Sequence, residues 1–208
     1  MTLMDASEKN YFKFTLKFFL ALVLCLLVRL IPFRAPNVEP ILATTMPMSR
    51  AYGALVGFSF ALLSILLYDI LTHTLGVQTF FTAGAYGILG LWSASYFSAK
   101  GGSASGGNNN KWGYVRFAII GTLFFDAVTG LLIGPLFFHQ SFLSTLIGQI
   151  PFTALHLLGN TIFAFILSPA IYDFLIKKKP ARNAFSIADA GGKREYVIPI
   201  NLLHPKII

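Results

Sequence analysis

Long apolar runs follow one another along this chain and are separated by short polar stretches. Five of them come close to or exceed the roughly 20 residues that a helix needs to cross a bilayer: 14–31, 51–71, 79–99, 114–134 and 150–176. A sixth run, 38–48, would reach only about 16 Å as a helix, against a hydrocarbon core of about 30 Å. We expect it to cross nevertheless, because the flanking basic residues fit only six crossings. The pattern predicts an all-α integral membrane bundle of six transmembrane helices with a short second helix.

Polar side chains recur at helical spacing inside three of these runs. The last run carries four of them at i, i+4, i+7 and i+11, which is one helix face: Gln149, Thr153, His156 and Asn160. The run before it repeats the pattern with Thr122, Asp126 and Thr129, and the run before that with Thr79, Thr82, Tyr86 and Ser93. Polar groups are costly in hydrocarbon unless they face a bundle interior, water or a ligand. Three such edges predict a site for a small polar molecule.

Composition supports the membrane class, since 55% of the residues are hydrophobic and only 12% are charged, against about 25% charged in soluble domains. The single cysteine, Cys25, excludes a disulfide framework and a thiolate metal cluster. The net charge of +8 could suggest nucleic-acid binding. The basic residues border apolar runs, however, and form no patch interleaved with aromatic residues, so membrane topology explains them better.

The basic residues also predict orientation. With both termini in the cytoplasm, all but Arg29 and Arg34 of the 16 Lys and Arg residues lie on the cytoplasmic side. We therefore expect a multi-pass protein of the cell membrane, plasma or inner. Its parts would be a cytoplasmic N-terminus (1–13), a membrane domain (14–176) containing a flexible cytoplasmic linker at 100–111, and a basic cytoplasmic tail (177–208). The tail is interpreted as a surface segment near anionic headgroups, with partner docking as the alternative.

The sequence also contains closely spaced small residues, which predict tight helix packing, and a short internal repeat. Small residues at four-residue spacing in one run and glycines in the next predict closely approaching helices: Gly53, Gly57 and Ala61, then Gly84, Gly87 and Gly90. The residues 68–72 (Tyr-Asp-Ile-Leu-Thr) recur 57 positions later as 125–129 (Phe-Asp-Ala-Val-Thr). Both copies would end a helix that runs outward, which places two Asp-x-x-Thr turns toward the outer face.

Part of the chain resembles a known family. The resemblance lies in Ile31-Pro32-Phe33-Arg34-Ala35-Pro36-Asn37-Val38-Glu39-Pro40, a short helix, Gly53-Ala54-Leu55-Val56-Gly57 and a helix that ends in Tyr68-Asp69. Together with the six-segment plan, these residues resemble the substrate-binding S component of energy-coupling factor (ECF) transporters. The resemblance implies capture of a vitamin, its precursor or a metal ion near the outer face. It also implies partners: a transmembrane T component and two cytoplasmic ATPases.

The resemblance carries residue assignments. It implies docking to the T component through small residues of the first helix, where Ala21 and Cys25 stand in place of the family's usual Ala-xxx-Ala. Its outer pocket, placed on the polar stripes and outer loops of this chain, gives a set of substrate-binding candidates: Asn37, Glu39, Asp69, Thr72, Gln78, Thr82, Tyr86, Asp126, Thr129, Gln149, Thr153, His156 and Asn160. No cofactor is expected.

Three carboxylates at the predicted outer face, Glu39, Asp69 and Asp126, favour a ligand with amine, amidine or ring N–H donors. The alternative is internal pairing with Arg29 or Arg34. His156 and Asn160, likewise, either contact the ligand or hydrogen-bond across helices. A metal site is not expected, because the histidines lack ligand spacing.

Two other function classes remain open. A membrane scaffold or assembly protein would share the polytopic plan and the basic tail, but it does not need three polar edges near one surface. An intramembrane hydrolase could use Asp69 with Asp126, or a serine with His156. The chain has no Gly-x-Gly-Asp, Gly-x-Ser-x-Gly or His-Glu-x-x-His pattern. It has no Walker motif either, so we expect a transport subunit without its own ATPase that is not an enzyme.

Overall fold

The computed structural model describes residues 6–33, 38–99 and 110–176, and this part of the chain is helical without strands. Seven α-helices and one π-helical segment follow in order: α1 (Ala6–Arg29), α2 (Ile41–Tyr52), α3 (Ala54–Leu71), α4 (Val77–Ala99), α5 (Lys111–Asp126), the π segment (Ala127–Leu132), α6 (Ile133–Phe138) and α7 (Phe142–Ile176). Helix α1 therefore begins within the predicted N-terminal segment. Most of the predicted linker and the whole tail lie outside the described residues.

Four helical stretches are long and apolar enough to cross a membrane: Asn10–Arg29, Ala54–Leu71, Lys111–Phe138 and Phe142–Leu175. The third combines α5, the π segment and α6. These stretches confirm the prediction of an all-helical protein with several apolar, membrane-compatible helices. Helices α2 and α4 are not among the four, so the count of six crossings stays a prediction.

Helix α2 is the centre of the bundle. Its residues Ile41 to Arg50 are all buried, and the helix packs against α1, α3, α4, α5 and α7. At 12 residues it is about 18 Å long, and protein rather than lipid surrounds it. A following glycine, Gly53, has φ of 96°, a conformation that glycine adopts at little cost, and this lets α2 turn directly into α3.

The last two apolar runs differ from the prediction in their boundaries. Helix α7 begins at Phe142 rather than at residue 150, so Pro151 lies inside the helix and not in its first turn as predicted. The run predicted at 114–134 is helical from Lys111 to Phe138, but it changes to π geometry at Ala127–Leu132. Segments of π-helix are rare and are frequent at functional sites. This one begins directly after Asp126.

Helices α2, α3 and α4 approach closely through small residues. The Ser49 hydroxyl donates to the Gly90 carbonyl oxygen at 2.9 Å. A Cβ added at Gly90 would lie 2.6 Å from the carbonyl carbon and oxygen of Gly57. The predicted packing role therefore holds for Gly57 and Gly90. It does not hold for Gly84, whose Cβ position is open.

Cationic side chains hold together the end of the bundle that lies opposite the start of α2. The Lys17 ammonium donates to the carbonyl oxygens of Phe174 and Leu175 at 3.1 and 2.7 Å, which satisfies free carbonyls near the end of α7. The Arg50 guanidinium, at the end of α2, donates to the Tyr114 hydroxyl at 3.0 Å. It also lies 4.1 Å from the centre of the Tyr172 ring. These contacts join α1, α2, α5 and α7 at one end.

The glycine contact predicts a contrast between two alanine substitutions. Gly90→Ala places a methyl group against the Gly57 backbone, so we expect a loss of about 1–3 kcal/mol from overpacking. Gly84→Ala meets no atom within 4 Å and should be neutral or stabilising, by up to about 1 kcal/mol, through helix propensity. Thermal unfolding of both variants in mild detergent measures the difference. Equal melting temperatures would contradict the close α3–α4 contact.

Candidate functional site

Five side chains from five parts of the bundle form one continuous series of contacts, which we call the polar chain. Arg29 Nε lies 2.9 Å from Glu39 Oε2. The Tyr86 hydroxyl donates to Glu39 Oε1 at 3.1 Å and lies 3.4 Å from His156 Nε2. His156 Nδ1 lies 2.7 Å from Asp126 Oδ1. The series thus begins at the end of α1 and passes through Glu39, just before α2. It continues through residues inside α4 and α7 and finishes at the end of α5.

Arg29 is fixed on three sides. Besides its ion pair with Glu39, it donates from Nη1 to the Ser64 carbonyl oxygen at 2.9 Å. Its guanidinium lies 3.8 Å from the centre of the Tyr68 ring, a cation–π distance. The side chains of Arg29 and Glu39 are only 8% and 12% exposed. The structure therefore shows the Glu39 carboxylate paired internally with Arg29, which is the alternative to ligand contact given above.

Hydrogen bonding also orders the donors along the polar chain. Tyr86 has one hydroxyl proton and gives it to Glu39, so its oxygen is left as an acceptor toward His156 Nε2. The roles of the two His156 nitrogens depend on the tautomer of the ring. At the other end of the polar chain the Arg29 guanidinium is paired with the Glu39 carboxylate.

A second polar contact lies one turn away and joins the same two helices. Asn160 Nδ2 donates to Thr122 Oγ1 at 2.8 Å, parallel to the contact of His156 with Asp126. All four side chains are buried. The stripes predicted on the fourth and last long runs therefore face each other, and His156 and Asn160 do hydrogen-bond across helices.

Two acceptor atoms at these contacts are buried and have no hydrogen-bond partner. They are Asp126 Oδ2 and Asn160 Oδ1. An unpaired buried acceptor costs about 1–3 kcal/mol, and more when it is charged. Such atoms are uncommon in folded proteins and need an explanation. Asp126 is 2% exposed, so bulk water does not supply the missing donor from the surface of the protein.

Asp126 also lines a groove between the α5–π junction and the first half of α7, which we call the α5–α7 groove. The groove has a volume of about 410 Å³. Its lining is Leu123, Asp126, Ala127, Leu131, Leu146, Gln149, Ile150, Thr153, Ala154 and Leu157. Within it, Gln149 Nε2 donates to Thr153 Oγ1 at 3.3 Å. Three of the predicted site residues thus share one groove.

A more polar cavity adjoins this groove at Gln149, which lines both. Its volume is about 520 Å³, and its lining is Gly130, Gln140, Ser141, Ser144, Thr145, Gly148 and Gln149. The Gln149 amide packs on the backbone of Gly130 in the π segment, because a Cβ added there would overlap it. The first turns of α7, which were not predicted to be helical, supply most of this polar lining.

Five predicted site residues make local contacts instead. Asp69 Oδ2 accepts from Thr79 Oγ1 at 2.6 Å across the α3–α4 turn. The hydroxyls of Thr72 and Thr82, like that of Thr129, donate to the carbonyl four residues earlier. Gln78 donates to the Thr74 carbonyl oxygen. The two Asp-x-x-Thr copies therefore share the threonine contact, but only the second aspartate reaches another helix through a buried histidine. Asn37 lies outside the described residues.

The predicted docking residues lie on a different surface. Ala21 and Cys25 line an apolar groove of about 380 Å³ between α1, the start of α2 and the end of α7. Cys25 is buried at 2% exposure, while Ala21 is half-buried. Docking to a T component through these residues stays a prediction. Among the residues that the structure describes, no three His, Cys, Asp or Glu side chains are grouped to hold a metal ion.

The contacts of Arg29 predict how the bundle responds to loss of one charge. Glu39→Ala leaves the guanidinium buried without its counterion, and we expect a loss of about 3–5 kcal/mol. The double variant Arg29→Met, Glu39→Leu removes both charges at similar volume and should lose much less. Thermal unfolding of wild type and both variants in detergent compares them. If the double variant is as unstable as Glu39→Ala, the unpaired charge of Arg29 is not the cause of the lost stability.

Comparison with models of known families, with curated protein sequences and with solved structures yields no match for this chain. The resemblance to S components therefore stays a prediction made from the sequence. The features that bear on function are the polar chain, the unpaired Asp126 oxygen and the α5–α7 groove.

Proposed function

We propose that this protein captures a small water-soluble molecule in the α5–α7 groove, as the substrate-binding membrane subunit of an ECF-type importer. The observation that carries the proposal is Asp126 Oδ2, a buried acceptor without a partner on a residue that lines the groove. A purely structural carboxylate would be expected to have both oxygens satisfied. A ligand that donates a hydrogen bond to Oδ2 removes that cost, and the groove volume suits a small molecule.

The arrangement of the helix ends supports six crossings. Arg29 and Asp126 lie at the ends of α1 and α5, and Glu39 lies just before the start of α2, whereas Tyr86 and His156 lie further inside α4 and α7. Helix α2 starts beside Glu39, and its last turn carries Arg50, which lies in the cluster with Tyr114 and Tyr172 at the opposite end. A short helix that reaches from one cluster to the other is consistent with a sheltered crossing. In this interpretation α2 is shorter than the hydrocarbon core, and its ends contact neighbouring protein rather than lipid.

Charge distribution supports an outward-facing groove. The described end of the bundle opposite the polar chain carries Lys17, Arg50 and Lys111, and the segments predicted from the sequence as cytoplasmic linker and tail contain further basic residues. By the positive-inside rule, that end is cytoplasmic and the groove opens toward the outside. Uptake then needs an energy source, and a transmembrane T component with cytoplasmic ATPases would supply it. The apolar groove at Ala21 and Cys25 is the surface we assign to the T component.

Orientation can be tested with an impermeant thiol reagent on intact cells. Ser141→Cys, in the exposed turn between α6 and α7, should be labelled from outside. Ser105→Cys, in the segment predicted as a linker, should react only after the cells are permeabilised. The native Cys25 is buried and gives little background. The reverse labelling pattern would contradict an outward-facing groove.

Capture itself predicts a molecule retained on the purified protein. We expect native mass spectra in mild detergent to show an added mass of a few hundred daltons on the wild type. Asp126→Asn should lose this mass, because the amide replaces an acceptor oxygen with a donor. Asp69→Asn is the matched control and should keep it, since Asp69 Oδ2 is bonded to Thr79 outside the groove. A wild type without added mass that co-purifies with cell-envelope proteins would favour the scaffold.

A further inference from the structure

The charges around the α5–α7 groove restrict what can bind there. Of the residues that line it, Asp126 is the one ionisable side chain, and the adjoining polar cavity is lined by uncharged residues. His156 Nδ1 already faces Asp126 Oδ1, and Arg29 is held by Glu39. A phosphate or carboxylate ligand would therefore find no basic side chain among the residues that line the groove and would meet Asp126 instead.

A protonated nitrogen, in contrast, fits this environment. A carboxylate can accept at both oxygens, so Oδ2 can receive a ligand N–H while Oδ1 stays with His156. A hydrogen bond with an ionised donor or acceptor is roughly twice as strong as one between neutral groups, and a cationic donor adds Coulomb attraction to the carboxylate. The advantage is larger in a site that excludes water, where charges are weakly screened.

The rest of the groove is suited to an apolar body. Apolar residues from α5, the π segment and α7 form most of its wall: Leu123, Ala127, Leu131, Leu146, Ile150, Ala154 and Leu157. Gln149 and Thr153 are the uncharged polar side chains within it, and Gln149 leads to the polar cavity at the first turns of α7. A matching molecule would have a charged nitrogen beside Asp126, a compact ring against the apolar wall and a polar substituent toward the polar cavity.

We propose that the ligand is a small molecule carrying an ammonium or amidinium group on a compact apolar body, with the N–H donated to Asp126 Oδ2. This inference rests on the proposed function and specifies its substrate class. Asp126 Oδ2 is covered by protein atoms, so binding requires local movement of the groove wall. The π segment is the part of the wall that we expect to move, since none of its six residues is buried and its backbone departs from regular α geometry.

The test uses the full chain in phosphatidylcholine nanodiscs and four probes of similar shape. Benzylamine and benzamidine are cations, benzyl alcohol is neutral and benzoate is an anion. We expect titration calorimetry, corrected with empty nanodiscs, to show both cations binding at least tenfold more tightly than benzyl alcohol, and benzoate not binding. Asp126→Asn should abolish the preference for cations, and Asp69→Asn should keep it.

A second pair of variants keeps the test independent of the polar chain. Ala154→Phe fills the groove from an exposed position and should weaken cation binding at least tenfold. Leu158→Phe, exposed one turn further along and outside the groove, should leave it unchanged. Equal binding of all four probes, or no binding of the cations to protein with a normal unfolding transition, would overturn the cationic class.

These outcomes separate the substrate class from the proposed function. If native mass spectra identify an anionic or neutral retained molecule that Ala154→Phe releases, the groove captures a ligand but its class is wrong. If the wild type retains no molecule and binds no probe, both proposals fail.

Discussion

A guanidinium inside a helical bundle has to be paired, because the cost of removing its hydration is several kcal/mol. In this protein Arg29 has three partners from two parts of the chain: the Glu39 carboxylate before α2 and, on α3, the Ser64 carbonyl and the Tyr68 ring. Meeting all three fixes the end of α1 against α3 and against the start of α2. Glu39 then positions Tyr86, and through it His156 and Asp126. Through these contacts that one cation is linked to six helices, α1 to α5 and α7.

Helix α2 is the structural link between the two ends. Its buried position removes the requirement for about 20 apolar residues, which applies to helices in contact with lipid. Its start lies in the polar chain, and its end is held by Arg50 between Tyr114 and Tyr172. Between them, small residues of α3 and α4 let neighbouring backbones come close enough to enclose it. A short helix is stable in this place because its surroundings are protein on every side.

Helical periodicity was enough to predict which faces are polar. It correctly placed Asp126, His156, Thr122 and Asn160 on edges that meet, since residues at i, i+4 and i+7 share a face whatever the partner is. It could not separate that interior from the α3–α4 turn, where Asp69 finds a local donor in Thr79 and needs no other helix. Nor could it show the π segment or the early start of α7 at Phe142. Those features depend on tertiary packing against the groove, which leaves no periodic signal in the residues themselves.

The buried Asp126 oxygen connects this architecture to function. Its other oxygen completes the polar chain, so any ligand that binds Oδ2 acts on the same residue that joins α5 to α7. The most direct measurement is a cryo-electron microscopy map of the protein purified from its native host in nanodiscs, at a resolution that shows side chains. We expect compact non-protein density in the α5–α7 groove within hydrogen-bonding distance of Asp126 Oδ2. A protein side chain bonded to Oδ2, with lipid acyl density filling the groove, would contradict it.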